Sequence, residues 1–427
     1  MTGGGGRDGT ASAGLVPWLV WSLGALFFCY GFFQRVAPSV MVSDLMRDFE
    51  INAAVLGNLL AFYFYAYAVV QLPVGVLVDS WGSRRLLAGG ALVCGLGTLL
   101  FATAGSLGPA YLGRLLIGGG AGFAFVATLK LAGTWFPPGR FALMSGLTSM
   151  LGMIGAVLGQ APVAAAVAEF GWRPTLSATA LLGLVLGLAI WLMIRDGPLG
   201  RPVRPSRSSG LLHGLGQVAR NPQSWIVGTF SAALTANMSG FAVLWAVPYM
   251  MRAQDLERPI AAASVSLIMV GWAVGSPIVG WVSDTMRRRK PAMALSAIGA
   301  SAGFATLVYL PGLPLVAAQA LLFAIGFFAC AMHLGFVAGS ENNSPAAAGT
   351  AMALVNTLIM ASGAAFQPLI GWLLDLSWDG RMEAGARIYS LESFQFALLP
   401  LLISNLTGIL VVFLVRETRC RNIHRGP

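Results

Sequence analysis

The chain has 427 residues, 57% of them hydrophobic and 10% charged, with a mean hydropathy of +0.76. Soluble domains carry about 25% charged residues, so too few charges are present to clothe a water-facing surface, which excludes a soluble enzyme and a disordered scaffold. The net charge of +10 sits in short loops between apolar runs rather than on one face, which excludes a nucleic-acid-binding module and leaves an integral membrane protein.

In chain order, a Gly-rich segment at 1–14 reads as a cytoplasmic tail. Apolar runs follow at 15–42, 53–78, 85–105, 110–132, 141–167 and 174–194, and again at 224–250, 260–282, 291–310, 314–337, 347–374 and 394–415. Each is near the ~20 residues a helix needs to cross hydrocarbon. They are continuous rather than alternating, which predicts helices and not barrel strands. No small-residue cleavage site follows the start of the first run, so it reads as a span rather than a signal peptide. Between the sixth and seventh runs, 195–223 is rich in Pro, Gly, Ser and Arg and reads as a flexible cytoplasmic linker. It divides a bundle at 15–194 from a second at 224–415, with a tail at 416–427. The predicted fold is an all-α membrane protein of twelve spans.

Arg84, Arg85, Arg140, Arg195, Arg201, Arg204, Arg207 and Arg287–Lys290 fall on one side of these spans, and Asp44, Asp48, Glu50, Asp255 and Glu257 on the other. The positive-inside rule then places both termini in the cytoplasm, in a cell (inner) membrane. Cys29, Cys94, Cys330 and Cys420 show no pairing rhythm, and His333 is the only His within an apolar run. No metal site and no cofactor are expected, and His333 reads as a packing residue near the inner end.

The halves repeat each other. GVLVDSWGSRR, from Gly75, aligns with GWVSDTMRRRK, from Gly280, pairing Asp79 with Asp284, Arg84 with Arg289 and Arg85 with Lys290. Gln160, two residues before Pro162, matches Gln367 beside Pro368, and Pro138 falls opposite Pro345. A Gly at a helix end lets helices touch, the Asp suits a neighbouring helix N-terminus, and the Arg pair anchors the loop and offers that Asp a cation. An ion pair that forms in one packing of the halves and breaks in another is a candidate latch.

With these motifs the sequence resembles the major facilitator superfamily. Gly75, Leu77, Asp79, Gly82, Arg84 and Arg85 match its signature after the second helix, with the Arg pair displaced one place by Ser83. The second copy keeps Gly280, Asp284, Arg288 and Arg289 but has Arg287 in place of the second Gly. Arg114, Gly118 and Gly122 resemble the arrangement in its fourth helix, and Gly171–Arg173 its GWR. The resemblance implies two six-helix bundles, related by a pseudo-twofold, around a central cavity that works by alternating access. The drug-exporter motif is only partly kept in Gly152, Gly155 and Gly159. FFQRVAPSVM and WFPPGRF look similar to organic-anion and organophosphate branches, and YFYAYAVVQLP to bacterial relatives of the lysosomal dipeptide transporter.

Arg35, Arg114 and Lys130 lie inside predicted spans, and no Asp or Glu lies well inside any. A charge in the membrane costs about 2.5–3.5 kcal/mol on insertion scales, so each needs a partner or a wet cavity. Arg35, opposite Trp245 in the repeat, reads as the anion ligand, its planar fork suiting a carboxylate or phosphate, against structural bonding to carbonyls. Lys130 reads either as a second substrate cation or partner for Glu341, or as a side chain reaching the interface. Arg114 reads as a packing residue. Tyr63, Tyr67 and Gln71 share one helix face. They are candidate cavity residues, with Gln160, Gln367, Trp245 and Asn356, and more weakly Asn237 and Tyr249. The expected partners are a small-molecule substrate, a proton or counter-anion, and the lipid bilayer around a monomer. The predicted function is transport of a small organic anion or carboxylate-bearing solute. The alternatives are a dipeptide or zwitterion uniporter or proton symporter, then a drug exporter or a membrane sensor that no longer transports.

Overall fold

The computed structural model describes residues 15–71, 73–197 and 211–423. The expected N-terminal tail and the linker residues Arg201, Arg204 and Arg207 lie outside them. Among the described residues, twelve helices are long and apolar enough to cross a membrane. We number them helix 1 (Leu15–Val40), helix 2 (Ala53–Gln71), helix 3 (Ser83–Thr103), helix 4 (Leu107–Trp135), helix 5 (Leu143–Phe170) and helix 6 (Trp172–Met193) in the first half. The second half holds helix 7 (Pro222–Gln254), helix 8 (Arg258–Thr285), helix 9 (Arg289–Tyr309), helix 10 (Leu315–Glu341), helix 11 (Ala348–Leu376) and helix 12 (Leu391–Leu414).

Three local features depart from a plain reading of hydropathy. The second apolar run is broken near Pro73, and a short helix, Val74–Trp81, carries the first signature loop; Pro has no N–H to continue the ladder. The segment expected as linker contains a helix, Leu211–Arg220, whose Val218 is buried beside Ala347 and Ala351 of helix 11 and the turn before it. Between helices 11 and 12 a small hairpin pairs Met382–Glu383 with Ala386–Arg387. Its turn residues Ala384 and Gly385 both have positive φ, 46° and 81°, the backbone of a tight two-residue hairpin turn.

The halves meet along helix 2 against helix 11, and helix 5 against helix 8. Small residues make the first contact close: a Cβ on Gly57 would strike the backbone of Gln367, and one on Gly371 the backbone of Ala53. Contacts between these two helices start at the end far from the linker, where Ala53 and Ala54 meet Asp375, and continue to Tyr65, whose hydroxyl reaches Ala364 O. The twelve steps from Ala53 to Tyr65 along helix 2 span about 18 Å at 1.5 Å per residue. Among the described residues, all hydrogen bonds joining the two halves lie within this far section, as does the Arg258–Asp44 ion pair. At the linker end, the ion pairs stay within each half. The far end is sealed.

Helices 1 and 7, equivalent in the repeat, both leave regular α geometry near the seal. Helix 1 tightens to a 3-10 turn at Ala37–Val40, beside Pro38. Helix 7 widens to a π-helix over Asn237–Trp245, with all nine residues buried. Irregular backbone at membrane depth persists only where protein or a cavity surrounds it, and the two irregular segments pack on each other.

Candidate functional site

Arg35 projects from helix 1 just before its 3-10 turn, into a box of aromatic rings. Its guanidinium carbon lies 4.4 Å from the Phe32 ring centre, 5.1 Å from those of Tyr63 and Tyr67, and 5.7 Å from that of Phe64. Nε donates to the Tyr63 hydroxyl at 3.2 Å. Among the described residues no carboxylate pairs with Arg35, and the Tyr67 hydroxyl joins that of Tyr63 in reach of its guanidinium. Ring faces attract a cation by about 0.5–2 kcal/mol each when water is excluded, so the box holds the guanidinium without neutralising it. Tyr63 is midway along helix 2, and Phe64 packs on Gly363 of helix 11. The charge therefore sits beside the middle of the helix 2–helix 11 contact.

Arg114 braces this box from behind. It is buried, donating to Gln34 O at 3.1 Å and to Leu60 O at 3.5 Å, and it lies 5.3 Å from the Tyr63 ring centre. It ties helix 4 to helices 1 and 2. Gln71, on the same helix face as Tyr63 and Tyr67, turns to Gly122 O of helix 4 at 3.3 Å and does not join Arg35.

The duplicated glutamines meet at helix 7. Gln160 Nε2 donates to Ala242 O at 3.5 Å, and Gln367 Nε2 to Ser239 O at 2.9 Å, both on the π-helical segment. Trp245 Nε1 donates back to Gln367 O at 3.2 Å. Both glutamines are buried, and their Oε1 atoms have no partner, as with Ser39 Oγ in the facing 3-10 turn. Buried orphan acceptors are costly, and three gather around one segment where helices 1, 5, 7 and 11 converge.

The signature loops lie at the linker end. Asp79 binds Lys130 Nζ of helix 4 at 2.8 Å, and that amine also donates to Val78 O at 2.7 Å. In the second half, Arg289 reaches Asp284 at 2.6 Å and Glu341 of helix 10 at 2.9 Å. Thr418 also donates to Glu341. The polarity is thus reversed: acid on the loop and base on the helix in one half, base on the loop and acid on the helix in the other.

The sequence profile described as the Major Facilitator Superfamily matches residues 23–368. The chain belongs to that superfamily. It is 23% identical over 383 residues to "Membrane sensor protein UhpC" of Escherichia coli, covering 84% of this chain and 86% of the relative. It is 30% identical over 178 residues to "Uncharacterized transporter YybO" of Bacillus subtilis, a match that spans only 42% of this chain and 41% of that protein. "Probable sulfoacetate transporter SauU" of Cupriavidus necator is 22% identical over 276 residues, 62% of this chain and 64% of the relative. In structure, a bacterial homologue of the human lysosomal transporter Spinster, inward-facing and occupied, superposes with a TM-score of 0.75 at 16% identity, covering 95% of this chain and 97% of the other. As a superfamily transporter, the chain is a multi-pass membrane protein that handles a small molecule and is not an enzyme.

Within the superfamily fold the expected site residues divide. Arg35, Tyr63 and Tyr67 come together, and Gln160, Gln367 and Trp245 form a second group on helix 7. Lys130, expected at the substrate or opposite Glu341, belongs instead to the signature loop through Asp79, because helix 4 passes beside that loop. Glu341 is held by Arg289 in its own half. Arg84, expected to offer Asp79 a cation, turns to Trp191 O at 2.6 Å and packs on the Trp191 ring; Arg85 and Arg288 are exposed. Gly82 adopts φ +82°, and a Cβ there would strike the Asp196 carboxylate. A Cβ on Gly75 or Gly280 would meet nothing within 4 Å, so the helix contact expected at these glycines is absent. Asn356 is half-buried on helix 11, without a hydrogen bond to a described residue. His333 packs against Trp272 and Phe336.

Several acids escaped sequence reading. Asp196, after helix 6, accepts from Arg84 N at 2.8 Å, and Glu417, after helix 12, from Arg289 N at 2.9 Å and Lys290 N at 3.0 Å. Each half thus ends with a carboxylate on the N-terminus of its third helix, a favourable charge–dipole contact. Burial pulls the Glu417 carboxyl upward, but the N–H groups of Arg289, Lys290 and Arg419 and the charge of Arg288 hold it below its ordinary value. The available signal was positional: an acid follows the last helix of both halves.

Proposed function

We propose that the chain moves small organic anions, or zwitterions with a free carboxylate, across a cell (inner) membrane, with the linker end in the cytoplasm. One observation carries this reading: a guanidinium with no carboxylate partner among the described residues, held by tyrosine hydroxyls and ring faces beside the midpoint of helix 2. The bidentate fork selects planar carboxylates and phosphates, and the surrounding rings accept an apolar or aromatic remainder. The name of the relative SauU, a probable sulfoacetate transporter, fits an anionic solute. On this orientation the sealed far end faces outward, and the site opens to the cytoplasm.

The test is uptake and counterflow in proteoliposomes against carboxylates, organophosphates and dipeptides. Arg35→Ala abolishes uptake and Arg35→Lys cuts it by a factor on the order of 100 while thermal unfolding shows a folded protein; normal uptake by either removes Arg35 from the site. Coupling is proposed as exchange or uniport, since Glu341 is already held by Arg289 and Thr418. An obligatory pH gradient would overturn that part. A second reading, a sensor on the transporter fold, is favoured by the similarity to UhpC. It is distinguished by Arg35-dependent ligand stabilisation without flux.

A further inference from the structure

The far-end seal contains two acids that no part of the substrate reading uses. Asp375, at the end of helix 11, accepts from the backbone N–H groups of Ala54 at 2.8 Å and Ala53 at 3.2 Å, the first residues of helix 2 in the other half. It also accepts from Tyr389 Oη at 2.7 Å and pairs with Arg387 at 3.2 Å, both of its own half. Asp44, in the short helix Val42–Asp48, pairs across the halves with Arg258, at the start of helix 8, at 2.6 Å, and within its own half with Arg47 at 3.4 Å. The two share one design. Each carboxylate holds donors from the opposite half and keeps a cation of its own half in reserve.

That duplication matters when the seal parts. A buried carboxylate stripped of its partner is strongly destabilising. Here Asp375 retains Arg387 and Tyr389, Asp44 retains Arg47, and the freed groups (two helix N–H donors and Arg258) are taken up by water. The hairpin bearing Arg387 rests on the helix Val42–Asp48, with Gly385 against the Arg47 side chain, so Arg47 also touches the opposite half.

We propose that Asp44 and Asp375 are the paired latches of the far gate, and that Arg47 and Arg387 are the reserve partners that let it open. The gate sets how much of the transporter faces each side, whatever solute is carried. The experiment is electron–electron distance measurement on the full chain in lipid nanodiscs. Spin labels are placed at Glu50→Cys and Glu392→Cys, one in each half, after the four native cysteines are replaced by alanine. Asp375→Ala raises the long-distance, far-end-open population about tenfold, the loss of one charge-assisted contact. Asp44→Ala acts in the same direction, and so does Arg258→Ala, which tests that latch without disturbing either acid. Arg387→Ala acts oppositely: it strands Asp375 in the open form and so lowers the open population below wild type. The proposal is overturned if Arg387→Ala opens the gate as Asp375→Ala does, or if neither acid variant nor Arg258→Ala changes the distances.

Discussion

Helices 1 and 7 hold equivalent places in the two halves, yet they answer different problems. Helix 1 brings a charge to mid-membrane and surrounds it with rings; helix 7 brings Trp245 to the matching position and no charge. Helix 7 is the more deeply packed, its π-helical segment held by a glutamine from each half, whereas Arg35 is held by tyrosine hydroxyls and ring faces with no described carboxylate. The repeat therefore built one scaffold twice, then gave one copy the proposed anion ligand and the other the brace. The signature loops differ in the same way. Asp79–Lys130 is partly exposed, with side chains 39% and 24% accessible, whereas Arg289–Glu341 is buried at 7% and 10%.

The largest effect that could break the comparison of helices 1 and 7 is at Arg35. Arg35→Lys is expected to cut initial uptake rates by a factor on the order of 100, because a point charge does not replace a planar fork. Trp245→Phe loses one hydrogen bond worth about 1 kcal/mol and is expected to leave uptake within tenfold of wild type. Equal losses in both variants would deny the division of labour.

Next comes the contrast between the loops, read by thermal unfolding. Arg289→Ala leaves Glu341 buried without its cation and is expected to cost about 3–5 kcal/mol. Lys130→Ala breaks a partly exposed pair and is expected to cost no more than about 1 kcal/mol. A reversed order would show that burial does not set the difference. On helix 7, Gln367→Leu removes a hydrogen bond of 2.9 Å and Gln160→Leu one of 3.5 Å. The first is expected to lower stability by about 1 kcal/mol and the second by less, since each also removes a buried orphan acceptor.

The smallest effect is the pH response of Glu417. Its folded pKa is depressed, so its contribution is fully present above the ordinary value of 4.5 and fades as pH falls below it. Thermal midpoints of wild type and Glu417→Gln are therefore expected to differ at neutral pH and to converge in acid. Midpoints that remain separated below the depressed pKa would remove the helix cap as the cause.

Much of the fold was legible in the residue pattern. Hydrophobic length fixes spans because hydrocarbon admits no unpaired backbone, and the copies of Gly–x3–Asp–x4–Arg revealed the two halves. Arg35 was legible as well, since an uncancelled charge in an apolar run stands out without a structure. Partner choice was not. Lys130 and Asp79 are 51 residues apart, Asp375 and Ala54 321 apart, and no local pattern says which helix passes beside which. Asp375 hid in plain view at the end of an apolar run, where hydropathy reads an acid as a boundary marker rather than a latch.

What the sequence alone determined is the number of the spans, the doubling of the chain and the presence of an embedded cation, because each follows from the cost of placing polar groups in lipid. Only the tertiary structure decided which acid met which base, which glutamine oxygens were left without partners, and which end was shut. Those depend on how rigid helices from distant parts of the chain cross, and the crossing is set by the glycine contacts and side-chain shapes of both partners together.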